Sequence, residues 1–331
     1  MPRHARLDAT GALHHIMVRG INKGDLFVDD VDRKKFLDRL GQVAEDGRCT
    51  VYAFAVMSNH VHLLIRSGGM GISAIMRKLL TWYALYFNRR HRRTGHLFEN
   101  RYKSILCEEE PYFLDLVRYI HLNPVRAGMV TDMAGLDSYP WTGHRVIVSK
   151  ATSPWIDRDF TLLLFGKTRR KAQAAYRSFI SAGFSMGHLP HLVGGGLVRS
   201  LGGWSKVASL RQHGAPEKGD ERILGSSEFV MTVLREADKT QRRQLNVGSA
   251  DPMLYLIDEE CRKRQIDTRE VQSGGRRAKA SEARAAIAYR ATTEFGFPAA
   301  EIARNLGVTT ASIIRAVQKV DKRSHEREGI E

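Results

Sequence analysis

The chain has little cysteine. Cys49, Cys107 and Cys261 are the three in 331 residues, far apart and with no Cys-X-X-Cys spacing. That scarcity argues against a disulfide framework and a cysteine-rich zinc site, and makes a reducing cytoplasm the expected setting. No apolar run approaches the roughly 18 residues a membrane span needs. The first residues, Met-Pro-Arg-His-Ala-Arg, lack the apolar stretch of a signal peptide, so a secreted protein is not expected. Acidic residues are also few relative to basic ones: 36 Asp and Glu against 52 Lys and Arg give a net charge of +16. A balance that basic favours a polyanionic partner, because contacts to phosphate release condensed counterions; the bland alternative is a solvated basic surface. A hydrophobic share of 43% with 27% charged residues describes an ordinary globular protein, long enough for two or three cores.

What is present falls into alternating strands and helices. Residues 13–19 read as a strand closed by Gly20 and the turn-prone Asn22-Lys23-Gly24. Residues 30–45 show helical spacing, with Val31, Phe36, Leu37, Leu40 and Val43 on one side and Gly47 near the end. Runs 50–56 and 60–66 form a hairpin about Ser58-Asn59. Residues 71–90 carry an apolar stripe, Ile72, Ile75, Met76, Leu79, Tyr83, Tyr86 and Phe87, read as core rather than as a base-stacking platform. A strand over 101–107 leads to a helix with Pro111 near its start and Phe113, Leu116, Val117 and Ile120 on its buried side. Asn123-Pro124 bends or ends that helix. Glu108-Glu109-Glu110 suits its N-terminus.

The order β-α-β-β-α-β-α predicts an α+β fold: a ferredoxin-like antiparallel sheet with helices packed on one side, over residues 1–147. Residues 148–240 read as a mostly helical accessory region, with glycine-rich stretches at 193–196 and 202–203 and no assignable chemistry. The basic, flexible Ser273-Gly274-Gly275-Arg276-Arg277 reads as a linker into a last helical unit, in an all-α region over 241–331. There, 299–308 and 309–317 resemble the two helices and glycine turn of a helix-turn-helix, with a Thr cap on the recognition helix. Ile302, Ala303, Leu306, Val308, Ile313 and Val317 supply its core, and DNA contact is favoured over plain packing.

Two motifs carry chemistry. In Met57-Ser58-Asn59-His60-Val61-His62, the histidines are two apart on a strand and project from one face, which makes half a metal site. In Tyr119-Ile120-His121-Leu122-Asn123-Pro124, Tyr119 and Asn123 are one helical turn apart. A phenol with an ordinary pKa near 10 is a poor nucleophile at neutral pH, and a divalent metal on the scissile phosphate relieves that difficulty. Mg²⁺ or Mn²⁺ suits His60 and His62 if oxygens complete the shell, one of them from Asn123. Alone, such a histidine pair also fits zinc or two ordinary strand histidines, and a lone helical tyrosine is usually packed. His14, His15, His91, His96 and His121 are not expected among the ligands. Arg89, Arg90, Arg92 and Arg93 form a basic run between a helix and a strand, read as a phosphate-tracking surface with Arg101 and Lys103.

The segments Val56–Leu64, Gly95–Lys103 and Tyr119–Gly128 together resemble the single-tyrosine HUH transposases, specifically the branch of REP-associated tyrosine transposases. The resemblance covers about residues 8–147. It implies that His60 and His62 bind the metal, that Tyr119 attaches to a DNA 5′ end, and that the substrate is single-stranded DNA, often a REP-type hairpin. Insertion-sequence relatives carry Gln one turn after the tyrosine, where this chain has Asn123. Those relatives act as dimers and the REP-associated branch as monomers, so either a monomer or a homodimer is implied. The region from about 276 resembles the DNA-binding domain of the bacterial replication initiator, which implies duplex readout by Thr309, Thr310, Ser312 and Arg315. Cleavage and rejoining of single-stranded DNA during transposition is therefore the expected activity. The other readings are a DNA-binding regulator without catalysis, and a relaxase or rolling-circle nickase; the latter lack the Asn-Pro-Val-Arg-Ala-Gly run after the tyrosine.

Overall fold

The computed structural model describes residues 7–150, 153–186, 220–246, 252–275, 277–293, 295 and 297–327. The glycine-rich stretches at 193–196 and 202–203 lie outside them. Two compact units divide the chain, residues 1–73 with 94–241, and residues 74–93 with 242–331.

The first unit is built on β1 (Leu13–Arg19), α1 (Asp30–Asp46), β2 (Thr50–Val56), β3 (His60–Arg66) and β4 (Lys103–Cys107). The chain runs through the second unit, in α2 (Gly71–Arg90), between β3 and β4. Asp29 caps α1 by accepting from the Asp32 amide, and the hairpin closes where the Met57 amide donates to the His60 carbonyl at 2.9 Å. The sheet order β2-β3-β1-β4, with every pair antiparallel, is the ferredoxin-like arrangement. A fifth strand, β5 (Ile223–Leu224), pairs in parallel with β4 and makes the sheet mixed. Two residues are too few to show a period, so nothing in the mostly helical reading of this region announced it.

Helices cover both faces of the sheet, not one. On one face α3 (Glu109–His121) packs Phe113, Leu116, Val117 and Ile120 into a core with Leu13, Ala53, Ala55, Leu64 and Ile105. On the other, Trp155 lies 5.5 Å from Phe54 and fills the space against Gly41 of α1, where a Cβ would sit 2.5 Å from the indole. The strands themselves record this: β2 is buried from Val51 to Val56 without alternation, as strands covered on both sides are. After α3 come α4 (Asn123–Arg126), α5 (Met133–Ser138), α6 (Gly143–Val148), α7 (Arg158–Leu163) and α8 (Arg169–Ser181), then α9 (Ser227–Asn246) beyond β5. Leu136, Ile147, Leu162, Tyr176 and Ile180 continue the α3 core, so this region extends the core of the first unit.

The second unit packs α2 from Ala74 onward with α10 (Pro252–Arg264), α11 (Thr268–Gln272), α12 (Ala278–Thr293), α13 (Ala299–Asn305) and α14 (Thr310–Arg327). Leu256, Ile257, Val271, Ile287, Ile302, Leu306, Ile313 and Val317 form its core, with Leu85 of α2 against it. Ser273 to Gly275 is a tight turn inside this unit rather than a linker into it. Gly274 and Gly307 hold positive φ and abut one another, and a Cβ on Gly307 would meet the Gln272 carbonyl at 2.0 Å. The buried Arg284 secures the turn by donating to the Val271 carbonyl at 3.1 Å. Cys49, Cys107 and Cys261 are free and buried. Among the described residues, no helix is long and apolar enough to cross a membrane.

Candidate active site

The site is laid out by strand register. In the β1–β3 pair, Arg19 opposes His60, Met17 opposes His62 and His15 opposes Leu64. Directly opposed residues share a face, and so do residues two apart on a strand. His15, Met17, Arg19, His60 and His62 therefore all project on the face that α3 covers. Ala55 of β2 opposes His62 from the other side, a small residue beside the imidazole.

The last turn of α3 brings Tyr119 down onto these rings. The Tyr119 and His62 ring centroids are 5.8 Å apart, edge to face, and His15 meets both, at 5.9 Å from Tyr119 and 5.3 Å from His62. His60 and His62 are 5.2 Å apart, with rings nearly perpendicular. Tyr119 is only 4% exposed. Burial pushes its phenol above the ordinary value, with the nearby Arg126 guanidinium pulling the other way.

The histidines suit a metal on two counts. Burial, with Arg19 assisting, lowers His60 to about 4, and burial with the neighbouring cations and imidazoles holds His62 well below its ordinary value. Both rings are then neutral at pH 7, the state that offers a lone pair. Nδ1 of His60 lies 2.7 Å from Asn59 Oδ1, and Nδ1 of His62 lies 3.0 Å from His15 Nε2. A proton on each Nδ1, donated to those partners, leaves both Nε2 lone pairs for a cation; this second contact is how metal-binding histidines are generally oriented. Among the described residues, no three His, Cys, Asp or Glu side chains are arranged to hold a metal ion. The remaining ligands would have to come from Asn123 or from substrate oxygens.

Asn123 is not on the helix of Tyr119. Hydrogen bonding in α3 ends at His121, and Asn123 opens the short α4 ahead of Pro124. Its amide nitrogen donates to the carbonyls of Tyr119 at 3.0 Å and Ile120 at 3.1 Å, so the side chain first of all closes the end of α3. The oxygen of the same amide is the atom left to act as a ligand.

Two residues at this site were not singled out from the sequence as functional. His15 seemed an ordinary strand histidine, and only the register reveals that it contacts both His62 and Tyr119. Arg126 lies within Asn-Pro-Val-Arg-Ala-Gly, and its guanidinium sits over the Tyr119 ring at 4.8 Å while Nη1 donates to the Tyr119 carbonyl at 2.8 Å. Among the expected DNA contacts, Lys103 is exposed on β4 opposite Met17, in the cross-strand row that contains His62, and Arg101 is exposed just before it. Arg89, Arg90, Arg92 and Arg93 belong to the helical unit, where Arg92 takes positive φ and Arg93 stacks on Phe87 at 5.6 Å. Thr309, Thr310, Ser312 and Arg315 are in that unit too. The Thr309 hydroxyl accepts from the Ser312 amide at 3.2 Å and caps α14, while Thr310 and Arg315 are exposed on it.

Comparison with known proteins gives one family and one solved fold. Residues 9–123 match the family model described as "Transposase IS200 like". A solved structure of "the REP associates tyrosine transposase bound to a REP hairpin" aligns over 46% of this chain and 89% of its own, at 17% identity and a TM-score of 0.38. No curated protein matches the chain. The matched segment contains β1 through the last turn of α3, and with them His15, His60, His62, Tyr119 and Asn123. Over residues 9–123, about a third of its length, the chain is thus similar to the IS200-like transposases.

Proposed function

We propose that the chain cuts and rejoins single-stranded DNA through a covalent tyrosine intermediate, with hairpin DNA of the REP type as substrate. The observation that carries this reading is the convergence of Tyr119 with the neutral His60–His62 pair, the Tyr119 and His62 rings 5.8 Å apart. Tyr119 Oη attacks the scissile phosphorus. The bond from phosphorus to the 3′ oxygen breaks, and the DNA 5′ end is left on the tyrosine while a 3′-hydroxyl departs with its proton. Attack by a 3′-hydroxyl on the phosphotyrosine reverses the step and returns the phenol, so rejoining needs no nucleotide cofactor. His60 and His62, with Asn123, would hold Mg²⁺ or Mn²⁺, which when bound polarises a phosphoryl oxygen and offsets developing charge. His15 fixes the tautomer of His62, and the basic Arg19, Arg101 and Lys103 offer phosphate contacts beside it. The exposed side of α14, with Thr310 and Arg315, together with the Arg89–Arg93 run, is proposed as a further, duplex-contacting DNA surface.

The test incubates the protein with labelled hairpin DNA and Mn²⁺ or Mg²⁺ and resolves covalent adducts under denaturing conditions. Wild type forms the adduct and Tyr119→Phe does not. A Phe variant that reacts at the wild-type rate overturns the assignment. A wild type that binds the hairpin and never reacts with it favours the regulator reading.

A further inference from the structure

Arg126 is an oddly placed cation. It is partly buried, and among the described residues it pairs with no carboxylate. Nη1 is spent on the Tyr119 carbonyl, whereas Nε and Nη2 are covered by protein and have no hydrogen-bond partner. Burying guanidinium donors without an acceptor costs free energy, and a fold tolerates that where a function requires it. The group facing this cation is the phenol ring of Tyr119, at 4.8 Å. The neighbouring Arg118 adds positive charge, although Asp115 answers Arg118 at 2.7 Å. Position and charge thus both call for an anion at the phenol, and the planar fork of arginine matches phosphate oxygens.

We propose that Arg126 is a catalytic residue that binds a non-bridging oxygen of the phosphate joined to Tyr119, on the guanidinium side of the phenol. This rests on the reading of Tyr119 as the nucleophile. Tyr119 is itself nearly covered, so DNA entry has to uncover the phenol, and the guanidinium stacked on its ring is uncovered with it. The two unanswered donors then meet the charge that develops on the phosphoryl oxygens as the Oη–phosphorus bond forms. The ligand class is a phosphodiester in the ground state and a phosphotyrosine ester in the product. The contact needs no sequence in the DNA, so its loss should act on the reaction rather than on hairpin recognition.

Two variants separate this role from a strut for the end of α3. Arg126→Gln keeps a donor for the Tyr119 carbonyl and removes the charge; Arg126→Lys keeps the charge and loses the fork. The full chain is assayed with saturating labelled hairpin and Mn²⁺ for the maximal rate of adduct formation, with half-saturating DNA concentration and melting temperature recorded alongside. The expected result is a loss of ~10²-fold for Gln and ~10-fold for Lys, with half-saturation within about twofold of wild type, since removing one preorganised donor to a developing oxyanion costs ~10²–10³ in rate. A Gln rate equal to or above the Lys rate overturns the proposal. So does a change confined to half-saturation, or the loss of a cooperative melting transition in both variants, which assigns Arg126 to the fold. A wild type that forms no adduct overturns the Tyr119 reading itself, whereas an active wild type with an unaffected Gln variant overturns only this one.

Discussion

Two histidine–tyrosine clusters adjoin the last turn of α3, and their members come from residues two apart. Tyr119 belongs to the open one, with His15, His60, His62 and Arg126. His121 belongs to the other, where the Tyr176 hydroxyl lies 2.7 Å from His121 Nδ1 and 3.1 Å from His144 Nδ1, and His144 Nε2 lies 2.8 Å from Asp137 Oδ1. Two residues turn a helix by about 200°, so the two side chains leave α3 in nearly opposite directions. The ingredients are alike, and the difference is in how fully they are bonded. In the second cluster His121, His144 and Tyr176 are sealed, their bonds have one consistent direction, and of their side-chain polar atoms only His121 Nε2 goes without a partner. A carboxylate on Asp137 can only accept, so a neutral His144 donates from Nε2 and accepts at Nδ1 from the Tyr176 hydroxyl, whose oxygen accepts from His121 Nδ1. In the first cluster the Nε2 atoms of His60 and His62 and two donors of Arg126 are left for something outside the chain. A buried network satisfied at all but one atom specifies a fold, while one with several unanswered atoms around a tyrosine offers a site.

The sharpest way to break this comparison is Tyr176→Phe. The substitution leaves Nδ1 of His121 and of His144 buried without the hydroxyl, and each orphaned group costs ~1–3 kcal/mol. A loss of ~2–5 kcal/mol in stability is expected from denaturant unfolding, with much of the melting temperature going with it. Adduct formation measured well below the new melting temperature should fall far less than in Tyr119→Phe. If Tyr176→Phe is as stable as wild type yet loses the adduct, the sealed cluster belongs to the chemistry and the contrast is false.

A smaller effect is expected at His15, the point where the open cluster meets the framework. Replacing it by Phe keeps a flat ring and removes the partner of His62 Nδ1. Groups that orient a metal-binding histidine are generally worth ~10–100-fold in metal affinity or activity. The Mn²⁺ concentration for half-maximal adduct formation should rise by that factor, with hairpin binding unchanged. An unchanged Mn²⁺ requirement would mean that His62 needs no partner at Nδ1, or holds no metal.

The sequence made the open cluster far more legible than the sealed one, for a physical reason. The His-X-His spacing and the tyrosine helix are local patterns, and strand alternation alone brings His60 and His62 to one face. Strand ends at 13–19, 50–56 and 60–66 were readable because each run is apolar and bounded by turn residues. The sealed cluster joins Asp137, His144 and Tyr176 to His121 from four separate helices, which no local period encodes. The second helical layer was recorded in the unbroken burial of β2, but a continuous apolar run does not say what covers it. Arg126 and His15 became visible only when register and the α3–α4 bend were known. Asn123 shows the converse: four residues after Tyr119 suggests one helix face, and Pro124 turns the chain before that geometry is completed.

The effect that is smallest at neutral pH, and the one that tests the assigned directions, is acid sensitivity. Burial lowers His14 to about 4, Asp8 opposing it weakly, and lowers His144 against the pull of Asp137; His121 is held well below its ordinary value by burial and by His144. Each ring is neutral when folded at pH 7 and takes up a proton below about 6.5 once unfolded. Below that pH the unfolded chain binds more protons than the native one, so stability falls with falling pH and continues to fall until the folded values are reached, near 4 for His14. Each such ring contributes up to ~1.4 kcal/mol per pH unit in that window. The melting temperature should be nearly flat from pH 8 to 7 and decline from 6.5 toward 4, and His14→Asn should take one proton out of the slope. Within the sealed cluster the first proton goes to His144, where Asp137 stabilises the cation, and it converts Nδ1 from acceptor to donor. That breaks the bond the Tyr176 hydroxyl donates and reverses the His144–Tyr176 link, while His144 Nε2 still donates to Asp137. A melting temperature that stays level down to pH 4 would mean that these histidines take up protons as readily in the folded protein as in the unfolded chain, and the one-way network deduced for Tyr176 would not hold.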